Sequence, residues 1–301
     1  MSKKTLFVVV GPTAIGKTAT AIRIAQELGT EILSCDSRQF YKELDIGVAR
    51  PSATELAAVP HHFIANLSIH DTYNVSMYES DALALLNTLF ATHDTAVAVG
   101  GSGLYVDALC QGIAAMPDPD PIIREQLKQQ LQAEGIEPLR AQLRLLDPEY
   151  YYSTDIANPL RIIRGLEMYL TTGKPFSQMR KNEIKTRPFQ IVKIGLECPR
   201  DELYNRINLR VNQMIDAGLV NEARQLLPFR HLNALNTVGY KELFEHFDGN
   251  ITKTQAIADI KTHTRRYSKR QITWLQRYND IFWFDRKKLL NILQVILKFG
   301  Y

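Results

Sequence analysis

Lys17 and Thr18 close the run Gly11-Pro12-Thr13-Ala14-Ile15-Gly16-Lys17-Thr18, whose spacing is G-x-x-x-x-G-K-[ST]. Such a run can hold a di- or triphosphate. Backbone N–H groups and a helix N-terminus cradle the phosphate oxygens, the lysine neutralises one of them, and the threonine hydroxyl reaches Mg²⁺. Asp36 is the second reactive group. A carboxylate beside such a loop can hold Mg²⁺ through water or remove a proton as a general base. A nucleotide hydrolase usually carries another Asp after an apolar run, to hold the metal near the attacking water. Here the run Ala96-Val97-Ala98-Val99 leads into Gly100-Gly101-Ser102-Gly103 instead. That weakens an ATPase reading. It permits a site in which diphosphate is a leaving group and no phosphoryl group is transferred.

Basic residues form the next constellation. Lys261, Arg265, Arg266, Lys269, Arg270 and Arg277 have no acid among them between Asp259 and Asp280, and Tyr267, Trp274 and Tyr278 interleave with them. Arg161 and Arg164 lie one helical turn apart in a separate segment. Cations on several elements, with aromatic faces for unstacked bases, suit RNA; the competing reading is a solvated basic face. Arg206 and Arg210, at i and i+4, share a helix face and either reach a diphosphate bidentately or serve solubility. The pair His61-His62 lacks a third ligand at useful spacing, and Cys35, Cys110 and Cys198 are too far apart for a zinc or disulfide framework. Trp274 and Phe282-Trp283-Phe284 read as core. The formal net charge of +4 is small for 301 residues, so any basic site must be local.

These groups need elements to hold them. Residues 6–10 read as a buried strand and 18–28 as a helix, the context the glycine run requires. Residues 31–35 form a short strand that delivers Asp36 to the edge where parallel α/β sheets bind ligands. Residues 36–51 read as an ordered loop, 62–67 as a strand, and Ser76-Met77-Tyr78-Glu79 as a capping box opening a helix. A strand at 95–99 ends in the second glycine run, and a helix follows at 104–110. The stretch Met116-Pro117-Asp118-Pro119-Asp120-Pro121 then breaks the alternation, with Asp120 capping a helix begun by Pro121. Asn158-Pro159 opens another helix, which ends at Gly173. Strand character returns at 189–196, long helices follow at 200–217 and 255–278, and a last strand at 281–284. The expected division is a core of residues 1–117 and 189–301, interrupted by a helical insertion at 118–188. No signal peptide or apolar span of transmembrane length is read, so a cytoplasmic location is expected.

Taken in order, the glycine run, Asp36-Ser37-Arg38-Gln39-Phe40-Tyr41, Asp45-Ile46-Gly47, Val99-Gly100-Gly101-Ser102-Gly103-Leu104-Tyr105, Val238-Gly239-Tyr240-Lys241-Glu242 and Lys269-Arg270-Gln271-Ile272-Thr273-Trp274 resemble the tRNA dimethylallyltransferases. The resemblance runs over nearly the whole chain. It implies an α/β fold with a P-loop NTPase-like core, a parallel sheet flanked by helices, and a helical insertion domain. It implies transfer of a dimethylallyl group from dimethylallyl diphosphate to N6 of the adenosine just 3′ of the anticodon, with Mg²⁺ and a monomeric protein. Residues Gly11 to Thr18 would hold the diphosphate, with Lys17 and Arg210 on its oxygens and Thr18 near Mg²⁺. Asp36 would be the general base, and Ser102 would supply a hydroxyl where the family usually has Thr. Contacts to the anticodon stem-loop of tRNA are implied for Asp36, Ser37, Arg38, Gln39, Ser102 and Arg124. They are implied also for Leu160, Arg161, Ile162, Ile163 and Arg164, and for Asn236, Thr237, Val238, Gly239, Tyr240 and Lys241. Three residues depart from the pattern: Ile15 for a small residue, which would narrow the loop, Val48 for Thr, and Gln276 for Arg. The rival readings are an isopentenyltransferase acting on free AMP, ADP or ATP, a small-molecule kinase, and an RNA-binding switch whose loop is ordered by nucleotide.

Overall fold

The computed structural model describes residues 4–114, 116–118, 120–180 and 184–300. Pro119, within the proline-rich stretch, lies outside them. The chain divides into two compact units, Met1–Cys110 with Arg187–Tyr301, and Gln111–Thr186.

The larger unit is built on a six-stranded parallel sheet: β1 (Thr5–Val10), β2 (Ile32–Ser34), β3 (His61–His62), β4 (Thr95–Val99), β5 (Gln190–Glu197) and β6 (Ile281–Asp285), in the order β3-β2-β4-β1-β5-β6. Both faces are covered, which is why the central strands read as unbroken apolar runs. Leu6, Val8 and Val10 pack with Leu33, Ala96, Ala98 and, from the helix Val75–Thr92, Tyr78, Ala82 and Leu86. On the other face Phe7 and Val9 meet Ile24 and Ala25 of the helix Lys17–Leu28 and Leu203 and Ile207 of the helix Arg200–Asp216. A third core gathers Leu219, Tyr240, Leu243, Ala256 and Ile260 from the helices Leu219–Leu226, Tyr240–Phe247 and Lys253–Leu275. The chain leaves β1 toward β2 on one side and leaves β4 toward β5 on the other. The crevice at their C-terminal ends is therefore the switch point where such sheets bind ligands. Val9 pairs with Val99, and the Gly100 N–H donates to the Val9 carbonyl at 3.2 Å, so the two glycine runs emerge side by side.

The smaller unit is helical. Asp120 caps the helix Pro121–Glu134 by accepting from the Ile122 and Ile123 N–H groups, and Asn158 caps Pro159–Thr172, which ends at a left-handed Gly173. Leu127, Leu139, Leu143, Tyr150, Leu166 and Phe176 form its core.

Three local expectations need correction. The strand expected over residues 62–67 is only His61–His62, because Phe63 and Ala65 take positive φ of 61° and 48° and leave the extended conformation. The helix expected to open at Ser76 is Val75–Thr92, capped by Asn74, whose side chain accepts from the Ser76 and Met77 N–H groups; Glu79 is buried against Arg187 at 2.8 Å. The basic helix Lys253–Leu275 is capped by Thr252 and stops before Arg277. No helix among the described residues is long and apolar enough to cross a membrane.

Candidate active site

The loop between β1 and the helix Lys17–Leu28 turns where side chains would obstruct it. Gly11 sits at φ 149°, and a Cβ there would lie 2.9 Å from the Leu196 carbonyl oxygen. Ala14 is left-handed at φ 64°, and Gly16, at φ 110°, starts the helix. Two arginines tie the loop's carbonyls down: Arg206 Nε donates to Ala14 at 2.8 Å and Arg286 Nε to Ile15 at 3.1 Å. The first N–H groups of the helix have no intrahelical acceptor and stand at the positive end of its dipole. Ile15 does not narrow the loop, because its side chain is fully buried in the core with Phe7 and Val9.

The loop forms one wall of a cavity of about 450 Å³ within the larger unit. Thr13, Gly16, Lys17 and Thr18 line it from the loop, Asp36 and Gln39 from beyond β2, Val99 and Gly100 from the end of β4, and Arg206 and Arg210 from the helix Arg200–Asp216. Lys17 Nζ donates to the Pro12 carbonyl at 2.9 Å. Burial lowers the Lys17 ammonium from its usual value to about 8, with Arg210 adding to the effect and Asp36 opposing it. Arg210 is lowered by burial too, against the pull of Asp36 and Glu55. The cavity thus holds two desolvated cations that an anion would relieve.

Asp36 is held in a fixed pose. Its N–H donates to Ser34 Oγ at 3.2 Å, and its Oδ1 accepts from the Arg38 N–H at 3.0 Å. Oδ2 has no hydrogen-bond partner among the described residues. Ser102 lies alongside: its Oγ accepts from the Ser37 N–H at 3.2 Å and is 3.3 Å from Ser37 Oγ. Tyr267 stands near Ser102 and Asp36, and burial, with the Asp36 charge adding to it, raises its hydroxyl above the ordinary range. A Cβ on Gly100 would fall 2.6 Å from the Cys35 carbonyl carbon, and one on Gly103 2.3 Å from Trp274, so this second run is pressed between β2 and the basic helix. Thr18 and Asp36 line the same cavity, but no cluster of three or more His, Cys, Asp or Glu that could hold a metal occurs among the described residues. This donor set fits Mg²⁺ that arrives on a diphosphate and draws most of its oxygen ligands from it.

The residues expected at an RNA surface divide. Arg38 donates to the Asn233 and Asn236 carbonyls at 2.7 and 3.5 Å, and Gln39 to Val48 and Ala49 at 3.3 and 3.0 Å, so both brace loops. Asn236 and Lys241 are exposed, Thr237 and Val238 half-buried, and Gly239 and Tyr240 buried. The Tyr240 hydroxyl donates to Glu222, whose carboxylate also accepts from the Ile46 and Gly47 N–H groups. In the helical unit Leu160 and Arg161 are exposed, but Ile162 and Ile163 have core side chains, which leaves them nothing but backbone for RNA. Arg124 and Arg164 both pair with the buried Glu167. On the basic helix Arg266, Lys269 and Arg270 are exposed, while Arg265 donates to Asn208. Trp274, expected in the core, is half-buried, with the Arg277 guanidinium 3.8 Å above its ring, and Phe282 is exposed. Sequence reasoning missed the loop-anchoring use of Arg206, the Glu222 clamp, and Gln271, which bonds to both glycine runs. Their partners are backbone atoms distant in sequence, which no spacing rule reveals.

Comparison with known proteins adds an independent line. The family model described as IPP transferase matches residues 39–278. A protein of Phocaeicola vulgatus named tRNA dimethylallyltransferase 1 is 48% identical over 292 residues, covering 97% of each chain. One of Christiangramia forsetii named tRNA dimethylallyltransferase is 50% identical over 277 residues, 92% of each chain. The crystal structure of a full-length tRNA isopentenylpyrophosphate transferase from Bacillus halodurans is 34% identical, with a TM-score of 0.73, and the match covers 98% of this chain and 96% of that one. The family model spans most of the chain, the relatives match it over nearly its whole length, and on this agreement of sequence, length and fold the chain belongs to the IPP transferase family.

Proposed function

We propose that this protein transfers the dimethylallyl group of dimethylallyl diphosphate to N6 of the adenosine just 3′ of the anticodon in tRNA. The observation that carries this reading is the single cavity that gathers Lys17, Thr18, Asp36 and Arg210 around the phosphate loop. It brings two cations, a helix N-terminus and a carboxylate with a free oxygen into one space. That suits departure of an anion and removal of a proton in one step. The family assignment favours the tRNA acceptor over free adenine nucleotides and over a kinase.

The diphosphate binds across the helix N-terminus, where Lys17 exchanges its bond to Pro12 for a phosphate oxygen, with Arg210 opposite. Mg²⁺, held on the protein side by the Thr18 hydroxyl, would neutralise part of the diphosphate charge. The target adenine leaves the anticodon-loop stack at a cost of a few kcal/mol and presents N6 to Asp36 and Ser102. Its amine is a weak nucleophile, because the lone pair is delocalised into the ring. As the bond from N6 to C1 of the dimethylallyl group forms, the bond from C1 to the diphosphate oxygen breaks and its electron pair leaves with the diphosphate. Asp36 Oδ2 takes the N6 proton. Positive groups aimed at the departing oxygens act where charge develops, and loss of one such group costs about 3 kcal/mol of barrier. RNA affinity is assigned to Arg266, Lys269 and Arg270 on the basic helix and to Arg161 in the helical unit, each contacting phosphate. A monomer suffices, since one chain carries every group named.

Acceptor choice is tested by incubating the protein with labelled dimethylallyl diphosphate, Mg²⁺ and either unmodified tRNA or AMP, ADP and ATP. Label is expected in tRNA alone. Label in a free nucleotide, with none in tRNA, would overturn the proposal.

A further inference from the structure

The two glycine runs are joined by one side chain. Gln271, on the helix Lys253–Leu275, is 6% exposed. Its Oε1 accepts from the Thr13 N–H at 2.8 Å, and its Nε2 donates to the Gly101 carbonyl at 2.9 Å. The amide can be seated in only one orientation, because an N–H faces one end and a C=O the other. The fit leaves no slack on the Gly101 side: a Cβ there would sit 2.2 Å from Nε2 and 3.5 Å from Lys17 Nζ. Strand pairing aligns β1 with β4 only as far as Val9 and Val99. Beyond that register, Gln271 is the side chain that sets the distance between the phosphate loop and the turn bearing Ser102. One helical turn earlier on the same helix face stands Tyr267, whose hydroxyl feels Ser102 and Asp36.

We propose that Gln271 is a positioning residue for the transfer: it fixes the loop that grips the diphosphate at a set distance from the turn that meets the acceptor amine. This rests on the transfer reading above. Gln271 contacts neither reacting atom, so it acts through Thr13 and Gly101. Displacing one reactant's loop by about 1 Å costs about 100-fold in rate without any loss of contact to either substrate. The signature is therefore a fall in kcat that is not matched by weaker binding.

The test uses the full chain with Gln271→Met and Gln271→Glu. Met keeps the volume and loses both bonds. Glu keeps the shape, but its carboxylate faces the Gly101 carbonyl and repels it; when protonated, it donates there and accepts from Thr13. Steady-state transfer to tRNA, pyrophosphate binding by calorimetry, and tRNA binding by filter retention are measured for each. Gln271→Met is expected to lose about 100-fold in kcat while pyrophosphate and tRNA affinities stay near those of the parent. Gln271→Glu is expected to recover relative to the parent as pH falls, because burial between a carbonyl and an amide raises its carboxyl above the usual carboxylate range. Gln271→Met shows no such recovery. Parent kcat in Gln271→Met would overturn the proposal. So would a loss of activity in step with lost pyrophosphate binding and lower thermal stability, which is what packing alone produces. Absence of transfer by the parent protein overturns the transfer reading and the proposal together; transfer by the parent and equally by Gln271→Met overturns the proposal alone.

Discussion

Lys17 Nζ is bonded to the Pro12 carbonyl of its own loop at 2.9 Å. The cation of the phosphate loop is thus turned back on the loop, desolvated, and lowered to about 8. A diphosphate offers it a better partner, and binding must be accompanied by proton uptake near and above that pH.

The first prediction concerns pH. Affinity for dimethylallyl diphosphate is expected to fall as pH rises through about 8, where the ammonium is lost. Lys17→Arg keeps its charge and should show no such limb in calorimetric titrations across pH. The stability term has the opposite sense. The folded value lies below the unfolded value of 10.5, so between about 8 and 10.5 the unfolded chain binds more protons and this group's contribution to stability rises with pH. Below about 8 the buried charge is a full penalty. Lys17→Met is therefore expected to melt at a higher temperature than the parent at pH 7, by roughly 2–4 °C for each kcal/mol relieved, while losing transfer.

Arg206 supports a second prediction. Its Nε bonds to the carbonyl of Ala14, which is held left-handed at φ 64°, a conformation that costs a residue with a Cβ roughly 1–2 kcal/mol. Arg206→Ala should relax the loop, and KM for dimethylallyl diphosphate is expected to rise about tenfold, or ~1.4 kcal/mol, with KM for tRNA unchanged. Lysine does not reproduce the planar Nε donor, so Arg206→Lys should recover little of the loss.

The helical unit separates two arginines that look alike in sequence. Arg164 Nη1 is 3.0 Å from Glu167, a carboxylate with 0% exposure that also binds Arg124 at 2.7 Å. The Arg161 side chain is exposed and has no ion-pair partner among the described residues. Arg161→Ala is expected to weaken tRNA binding and reduce the slope of log K against log salt by about one, the mark of one lost phosphate contact. Arg164→Ala should instead lower thermal stability, with a smaller change in that slope. Equal salt slopes for the two variants would contradict the division.

Much of this was legible in the sequence, for identifiable reasons. The phosphate loop is a local device, so Gly11 to Thr18 specify their turn and helix start without distant help. Asp120 and Asn158 cap their helices as their neighbours dictate, for the same reason. The parallel sheet announced itself through its two central strands, apolar at every residue from Leu6 to Val10 and from Ala96 to Val99, because both faces are covered. The misses are tertiary. Ile15 was expected to narrow the loop, but the turn directs its side chain to the core. Ile162, Ile163 and Tyr240 belong to stretches that resemble RNA contacts, yet helical periodicity sends their side chains inward. Residues 63–67 had strand composition, but left-handed Phe63 and Ala65 bend that segment toward Tyr41, which bridges Leu67. Gln271 was hidden among basic neighbours, and its partners, Thr13 and Gly101, lie 258 and 170 residues away.

The central claim is that Asp36 takes a proton from an adenine amine of tRNA while diphosphate departs from the neighbouring loop. Its most direct test is mass spectrometry of nucleosides from unmodified tRNA incubated with dimethylallyl diphosphate, Mg²⁺ and either the parent protein or Asp36→Asn. With the parent, one adenosine per tRNA, located 3′ of the anticodon, is expected to carry a dimethylallyl group in place of an N6 proton. With Asp36→Asn the yield is expected to be lower by at least about 100-fold, with tRNA binding retained. An unmodified anticodon loop after incubation with the parent, or equal yields from the two proteins, would contradict the claim.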